Sequence, residues 1–306
     1  MRNYALRITH YALIIAGALV TVAILVIMPS ANAAIYQQGV VYVIYEENII
    51  KDKADVNSNA VPDIVEDIAT QVNAVREVYK DVFHYPDPLN SERFPNVTSI
   101  EIDIADRSAM KVAGSAFSSV RKKSKHDPNQ RALHIKLANT VNPHKNPTPA
   151  HEYFHLVQYG ATYFGNSWYL EGMARWSEDS VSAIKSYPDG KNFAQKFDNK
   201  PAQDELFKEK YDAAKSFWYP LAVSRNDRAT IPDSLINKYR YVDGSAVFHD
   251  NIFYGADVMR EVLKAMKSKE ELAVAQFEGD KKWTKERRRH ERNNVIILEC
   301  ALSVRN

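Results

Sequence analysis

Pro149 to Tyr159 sets His151, Glu152 and His155 inside a stretch that is apolar on nearly every side, through Ala150, Tyr153, Phe154, Leu156 and Val157. A helix apolar all round is a buried helix. Thr148 offers an N-cap, Pro149 suits the first helical position, and Gly160 is a natural stop. An ionised carboxylate buried in such a helix is costly unless a cation or a hydrogen-bonding partner compensates it. That requirement constrains this chain more than any other feature. Residues i and i+4 lie one above the other, so both imidazoles reach one ion, and Glu152 overhangs its open side. Glu171 follows His155 by sixteen residues, near the start of a second helix expected from Trp168 to about Val181 with Ser167 as its cap. Two histidines and one remote glutamate form a donor set that zinc prefers, and a catalytic zinc keeps its fourth position for water. The expectation is a hydrolytic zinc site with ligands His151, His155 and Glu171 and with Glu152 beside its open position.

Upstream, Gly39 to Tyr45 reads as a strand, and Pro62 to Phe83 as a helix with Ile64, Ile68, Val72 and Val75 at helical spacing. Ser99 to Ile104 and Ala132 to Ala138 alternate apolar and polar residues as half-buried strands do. Between them, residues 121–129 form a polar loop, and His126 and His134 read as ordinary loop and strand residues. Beyond residue 146 the patterns are mainly helical, including Ala256 to Met266. Strands first and helices afterwards predict an α+β fold. The expected organisation is an N-terminal α+β part at 34–145, a zinc-binding catalytic part at 146–270 and a basic C-terminal tail at 271–306.

Residues 1–33 stand apart. Arg2 and Arg7 precede an uncharged apolar run from Tyr11 to Met28, and Ala31-Asn32-Ala33 resembles a signal-peptidase site. The run reads as a signal peptide cleaved after Ala33 or as a retained membrane anchor, and either predicts an exported protein, secreted or at the cell surface. Without Arg2 and Arg7 the charges balance at 38 basic and 38 acidic residues. Seven of those basic residues crowd into Lys281–Arg292 beside two acidic ones. A balanced chain with such a local cluster argues against a nucleic-acid partner. The cluster predicts a solvated amphipathic helix, or attachment to an acidic envelope polymer or anionic surface. Cys300 is the lone cysteine, which excludes an intrachain disulfide framework.

His151 to His155 together with Leu170-Glu171-Gly172-Met173-Ala174 resembles the gluzincin group of zinc peptidases, which includes thermolysin and aminopeptidase N. A nearer resemblance is to exported metalloproteases that join an Asp-x-Asn-x-Asn-Gly-x-Pro-Asp segment to a downstream His-Glu-(Tyr/Phe)-Phe-His. Asp55 to Asp63 is that segment with Ala60 in place of glycine. The resemblance spans about residues 40 to 180 and implies a zincin-like fold, whose two zinc helices lie in a mainly helical C-terminal part. It implies a protein or peptide substrate, makes Glu152 the catalytic general base and then acid, and makes Glu178, seven residues after Glu171, a second carboxylate behind a ligand histidine. Related enzymes keep a tyrosine or histidine downstream for the oxyanion, and Tyr241 and His249 are the candidates here. Two departures stand out: the spacing from His155 to Glu171 is shorter than in thermolysin, and Arg175 occupies a position where thermolysin has aspartate.

Counted from Asp55, the residues Asn57, Asn59, Asp63 and Glu66 fall at positions 3, 5, 9 and 12 of an EF-hand-type loop, a spacing of oxygen ligands that suits calcium. The alternative is an Asx-turn loop that caps the following helix. The functional expectation is an exported zinc endopeptidase. Its rivals are an aminopeptidase and a catalytically silent, zinc-stabilised surface-binding protein.

Overall fold

A computed structural model describes residues 33–182 and 193–304 of the chain. The expected signal or anchor segment therefore lies outside the described residues, apart from Ala33. The fold is α+β: among the described residues there are eleven α-helices and a five-stranded mixed sheet. Strand β1 (Ala34–Gln38) lies beside β2 (Val41–Tyr45), and Gly39 takes a positive φ of 60° in the connection between them. Helix α1 (Asp63–Glu77) then crosses to β3 (Val97–Ala105), which runs parallel to β2. Strand β4 (Gly114–Ala116) takes the sheet edge, antiparallel to β5 (Arg131–Ala138), and β5 is parallel to β3. Sequence patterning had not marked β1 or β4. One is polar along half its length and the other is three small residues long, so neither carries an alternation signal.

Register explains how the sheet holds both an apolar and a charged face. Val41, Ile100 and Leu133 align across β2, β3 and β5, as do Val43, Ile102 and Ile135, and all six are fully buried. Val65, Ile68, Val72 and Val75 of α1 are buried with them, and α1 packs on β2. Side chains alternate along a strand, so Glu101 and Asp103 point the other way. They are met there by the loop that leads into β5. Ser124 Oγ donates to Glu101 Oε1 at 2.7 Å, Arg121 reaches both carboxylates, and His134 Nε2 donates to Asp103 Oδ2 at 2.9 Å. His126 stacks on Tyr42 at 3.7 Å between ring centroids. His126 and His134 are thus a loop and a strand residue as expected: His126 Nδ1 lies 3.0 Å from Glu101 Oε1 and ties the loop to β3, while His134 ties β5 to β3.

Helix α2 (Thr148–Ala161) packs on α1, β4 and β5, and α3 (Ser167–Ser177) packs on α2. Gly160 does not end α2 as expected. It lies in the last turn, where an added Cβ would come 3.4 Å from the Pro88 backbone, and the helix stops at the extended Thr162. Gly172, unlike Gly160, has no room for a side chain. Its missing Cβ leaves room for Ala213 and Trp218, each less than 3 Å from that position, so α3 can press against the turn at Ala214–Trp218.

The smaller helices follow as α4 (Phe193–Lys196), α5 (Lys200–Lys208), α6 (Tyr219–Ser224) and α7 (Asp233–Lys238). A two-stranded sheet, β6 (Arg228–Thr230) with β7 (Ile252–Tyr254), precedes α8 (Ala256–Ser268). Then come α9 (Glu270–Ala275), α10 (Lys285–Arg288) and α11 (Asn293–Ser303). Residues 271–304 are not a separate tail. Helix α11 buries Ile296, Ile297, Leu298 and Cys300 and packs on α8, while Gly165 N donates to Arg288 O at 2.7 Å. The apolar residues of α11 need that cover more than the neighbouring basic residues need water. Among the described residues no helix is long and apolar enough to cross a membrane.

Candidate metal centre

Helix α2 stacks His151 and His155 on one face, their rings perpendicular at 4.7 Å between centroids. Glu171 approaches from the first half of α3. Its Oε2 lies 3.4 Å from His151 Nε2 and 3.5 Å from His155 Nε2. Ligands about 2.05 Å from a tetrahedral ion stand about 3.3 Å apart, so these separations fit zinc. Among the described residues this is the one group of three His, Cys, Asp or Glu side chains whose ligand atoms all lie within 4.8 Å of one another.

Both histidines are oriented from behind. His151 Nδ1 donates to Glu178 Oε1 at 2.8 Å, and His155 Nδ1 donates to Gln158 Oε1 at 2.8 Å. Gln158 is itself fixed, its Nε2 donating to Leu170 O at 3.2 Å. With protons on both Nδ1 atoms, the two Nε2 atoms converge on Glu171, and a bound cation there would take the place of the proton they share with that carboxylate. Burial disfavours a charged His151, but the hydrogen bonds to Glu171 and Glu178 outweigh it and raise its pKa to about 10. Burial likewise opposes ionisation of Glu171, and the two imidazoles outweigh it, holding that carboxyl well below its usual range. A cluster this acidic stabilises positive charge at its centre.

Glu152 is buried beside the three donors without joining them. Burial raises its pKa, against the two histidines, which lower it. Ala116 N–H of β4 also reaches this carboxylate. Gly114 lies directly over it, where a Cβ would come 2.6 Å from Glu152 Oε1 and 2.7 Å from Thr148 Cγ2. The edge of β4 therefore roofs a cleft of about 630 Å³ that is lined by Val112, Gly114, Thr148, His151, Glu152 and Tyr211 among others.

The structure brings His151, Glu152, His155, Glu171 and Glu178 together. It places Tyr241 and His249 elsewhere. Tyr241 Oη accepts from Gln71 Nε2 at 2.7 Å and donates to Pro143 O at 3.2 Å, locked between α1 and the entry to α2. His249 is exposed and does not line the cleft. The tyrosine at the centre is Tyr211. Its ring lies 5.9 Å from His151, and its hydroxyl feels the charge of Glu171. Burial first and then the Glu171 and Glu152 charges push its pKa to about 12, so it stays a donor at neutral pH. Tyr211 sits in a polar loop that offers no periodic signal by which sequence reading would find it.

The acidic loop folds upon itself. Asp55 accepts from the N–H groups of Asn59 and Ala60 at 3.0 and 2.9 Å, and Asp63 accepts from Val56 N at 3.1 Å. Glu66 accepts from the side-chain amides of Asn57 and Asn59 at 3.0 and 2.9 Å. Ala60 has a φ of 67°, a left-handed conformation in which glycine is the unstrained residue.

Compared with protein-family models, with curated proteins and with solved structures, the chain matches none.

Proposed function

We propose that this chain is an exported, zinc-dependent endopeptidase of gluzincin type with a zincin-like fold. The observation that carries the reading is the convergence of His151 Nε2, His155 Nε2 and Glu171 Oε2, with the buried Glu152 carboxylate beside them under a sheet edge. Bound there, zinc would supply Lewis acidity towards a carbonyl and an acidified water. Glu152 takes the proton from the attacking water and delivers it to the leaving amine. Its burial suits both roles, because raising the pKa of a carboxylate makes it a stronger base towards the water. Tyr211 donates to the oxyanion of the tetrahedral intermediate. The free edge of β4 pairs with an extended peptide, holding the scissile bond over Glu152. The oxygen-only loop from Asp55 to Glu66 would take calcium and brace the start of α1.

The test is a digest of a broad peptide mixture by the zinc-loaded chain and by Glu152→Gln. The variant should keep one zinc and lose activity by about 10²–10⁴-fold, the typical worth of a positioned acid–base group. A zinc-loaded wild type that cleaves nothing would leave the silent, zinc-stabilised binder as the better reading. Release of single N-terminal residues alone would make the enzyme an aminopeptidase.

A further inference from the structure

Helix α2 continues one turn beyond His155 to Tyr159, whose ring stacks on that histidine at 5.9 Å. Over Tyr159 lies Arg288, its guanidinium carbon 5.6 Å from the ring centroid. Arg288 Nη1 donates to Ser118 Oγ at 2.9 Å, and Nε donates to Tyr163 O at 2.9 Å. Ser118 stands two residues past β4. That strand thus passes from Gly114, above Thr148 and Glu152, towards Ser118 at the level of Tyr159. A peptide laid along the β4 edge would run into Arg288.

Arg288 has no carboxylate partner among the described residues, whereas Arg93 is partly offset by Glu270. The partners of Arg288 among the described residues are a hydroxyl, a carbonyl and a ring, all neutral. Arg289 follows it at an exposed position. Arg93 stacks on Tyr163 at 3.7 Å, with its Nε and Nη1 buried and lacking any hydrogen-bond partner. Burial first, then the nearby Arg288 charge, pushes the Arg93 guanidinium down to about 10. Half-buried cations without a counter-charge are costly, and a guanidinium offers a planar fork that fits a carboxylate.

We propose that Arg288, with Arg289 beside it, forms a carboxylate-binding subsite at the Ser118 end of the β4 edge, so that preferred substrates carry a carboxylate there. The proposal rests on the peptidase reading of the metal centre for its role in catalysis. The carboxylate has two sources. A peptide antiparallel to β4 brings its N-terminal side to Arg288, and the ligand is then an Asp or Glu side chain. A parallel peptide would bring its own C-terminus.

The experiment uses the zinc-loaded full chain and matched peptides with Glu or Gln scanned across the scissile bond, each with a free or an amidated C-terminus. A Glu-over-Gln ratio in kcat/KM on the order of tenfold at one position identifies the side chain, and a free-over-amide ratio of that size identifies the terminus. Arg288→Gln should bring the ratio close to one, and Arg288→Lys should keep part of it. Should Arg288→Gln fail to fold, Arg289→Gln at its exposed position should still lower the ratio. A ratio near one in the wild type, or a ratio untouched by these substitutions, overturns the subsite while cleavage itself upholds the peptidase. If the wild type cleaves no peptide, the peptidase reading falls, and equilibrium binding of the same peptides decides the subsite. A carboxylate preference lost in Arg288→Gln sustains it, and no preference overturns it.

Discussion

Gly114→Ala tests how tightly the β4 edge holds Glu152. The added methyl would lie 2.6 Å from Glu152 Oε1, 2.7 Å from its Cγ and 2.7 Å from Thr148 Cγ2. Ordinary contacts need more room, so something must move by about 0.5–0.8 Å in a region packed at interior density. Thr148 is tied into the first turn of α2, and Glu152 is buried between that helix and β4. Either the carboxylate swings away from its place beside the metal ligands or β4 lifts off α2. A displacement near 1 Å at a reacting group costs about 10²-fold, and overpacking costs about 1–3 kcal/mol. Peptide hydrolysis should therefore fall about 100-fold, and thermal melting should shift downward by the overpacking cost. Zinc content should stay at one per chain, because Glu152 and Gly114 are not among the three donors. The assay combines kcat/KM, metal analysis and melting on one preparation. Gly114→Ala with wild-type kcat/KM and an unchanged Tm would refute the claim that this glycine is required by the carboxylate beneath it.

Removing the carboxylate behind His151 should weaken zinc by about 10–100-fold, more for Glu178→Ala than for Glu178→Gln, which can still accept from Nδ1; chelator competition measures it, and equal affinities would discard the orienting role. Calcium at a hundred times its dissociation constant should stabilise the zinc-loaded chain by about 2.7 kcal/mol, an effect absent in Asp55→Ala, and a wild-type melt indifferent to millimolar calcium would reduce the loop to a helix cap. Ala60→Gly should stabilise the metal-free chain by up to about 1 kcal/mol in urea unfolding, since left-handed φ costs about 1–2 kcal/mol for a side chain and glycine returns part of it as entropy; a destabilised variant would refute the strain. Acid should loosen the loop at residues 117–130. Burial alone would raise the Glu101 and Asp103 carboxyls, but their hydrogen bonds, from Ser124 and Arg121 to Glu101 and from His134 and Arg121 to Asp103, depress both. Their contribution is then complete above the unfolded value of about 4 and lost as pH falls through the lower folded values. Hydrogen exchange in this loop should rise below pH 4 in the wild type, and a loop equally protected at pH 3 and pH 6 would contradict it.

The sequence by itself determined the parts of this protein that depend on neighbours along the chain. Helix α2 and its paired histidines were legible because i and i+4 are adjacent on any helix, and an apolar surround forces a buried one. Strands β3 and β5 were legible from alternation, and α1 and α8 from helical spacing. Even the strained turn at Ala60 was foreseeable, since the pattern around it asks for glycine.

Tertiary structure decided what stands around that pair of histidines. Gln158 was hidden although it lies one turn from His155, because its use depends on the Tyr169 and Leu170 carbonyls that pin it. Tyr211 displaced Tyr241 and His249 as the phenol of the cleft, and no periodicity distinguishes one loop tyrosine from another. Gly114 reads as any small residue until β5 pairs with β4 and sets it over Glu152. Arg288 is one arginine in a basic run until the packing of α11 on α8 carries it to Ser118, 170 residues away in sequence. Contacts at such separations follow from how the buried faces fit together, and local pattern carries no record of which distant surface each face will meet.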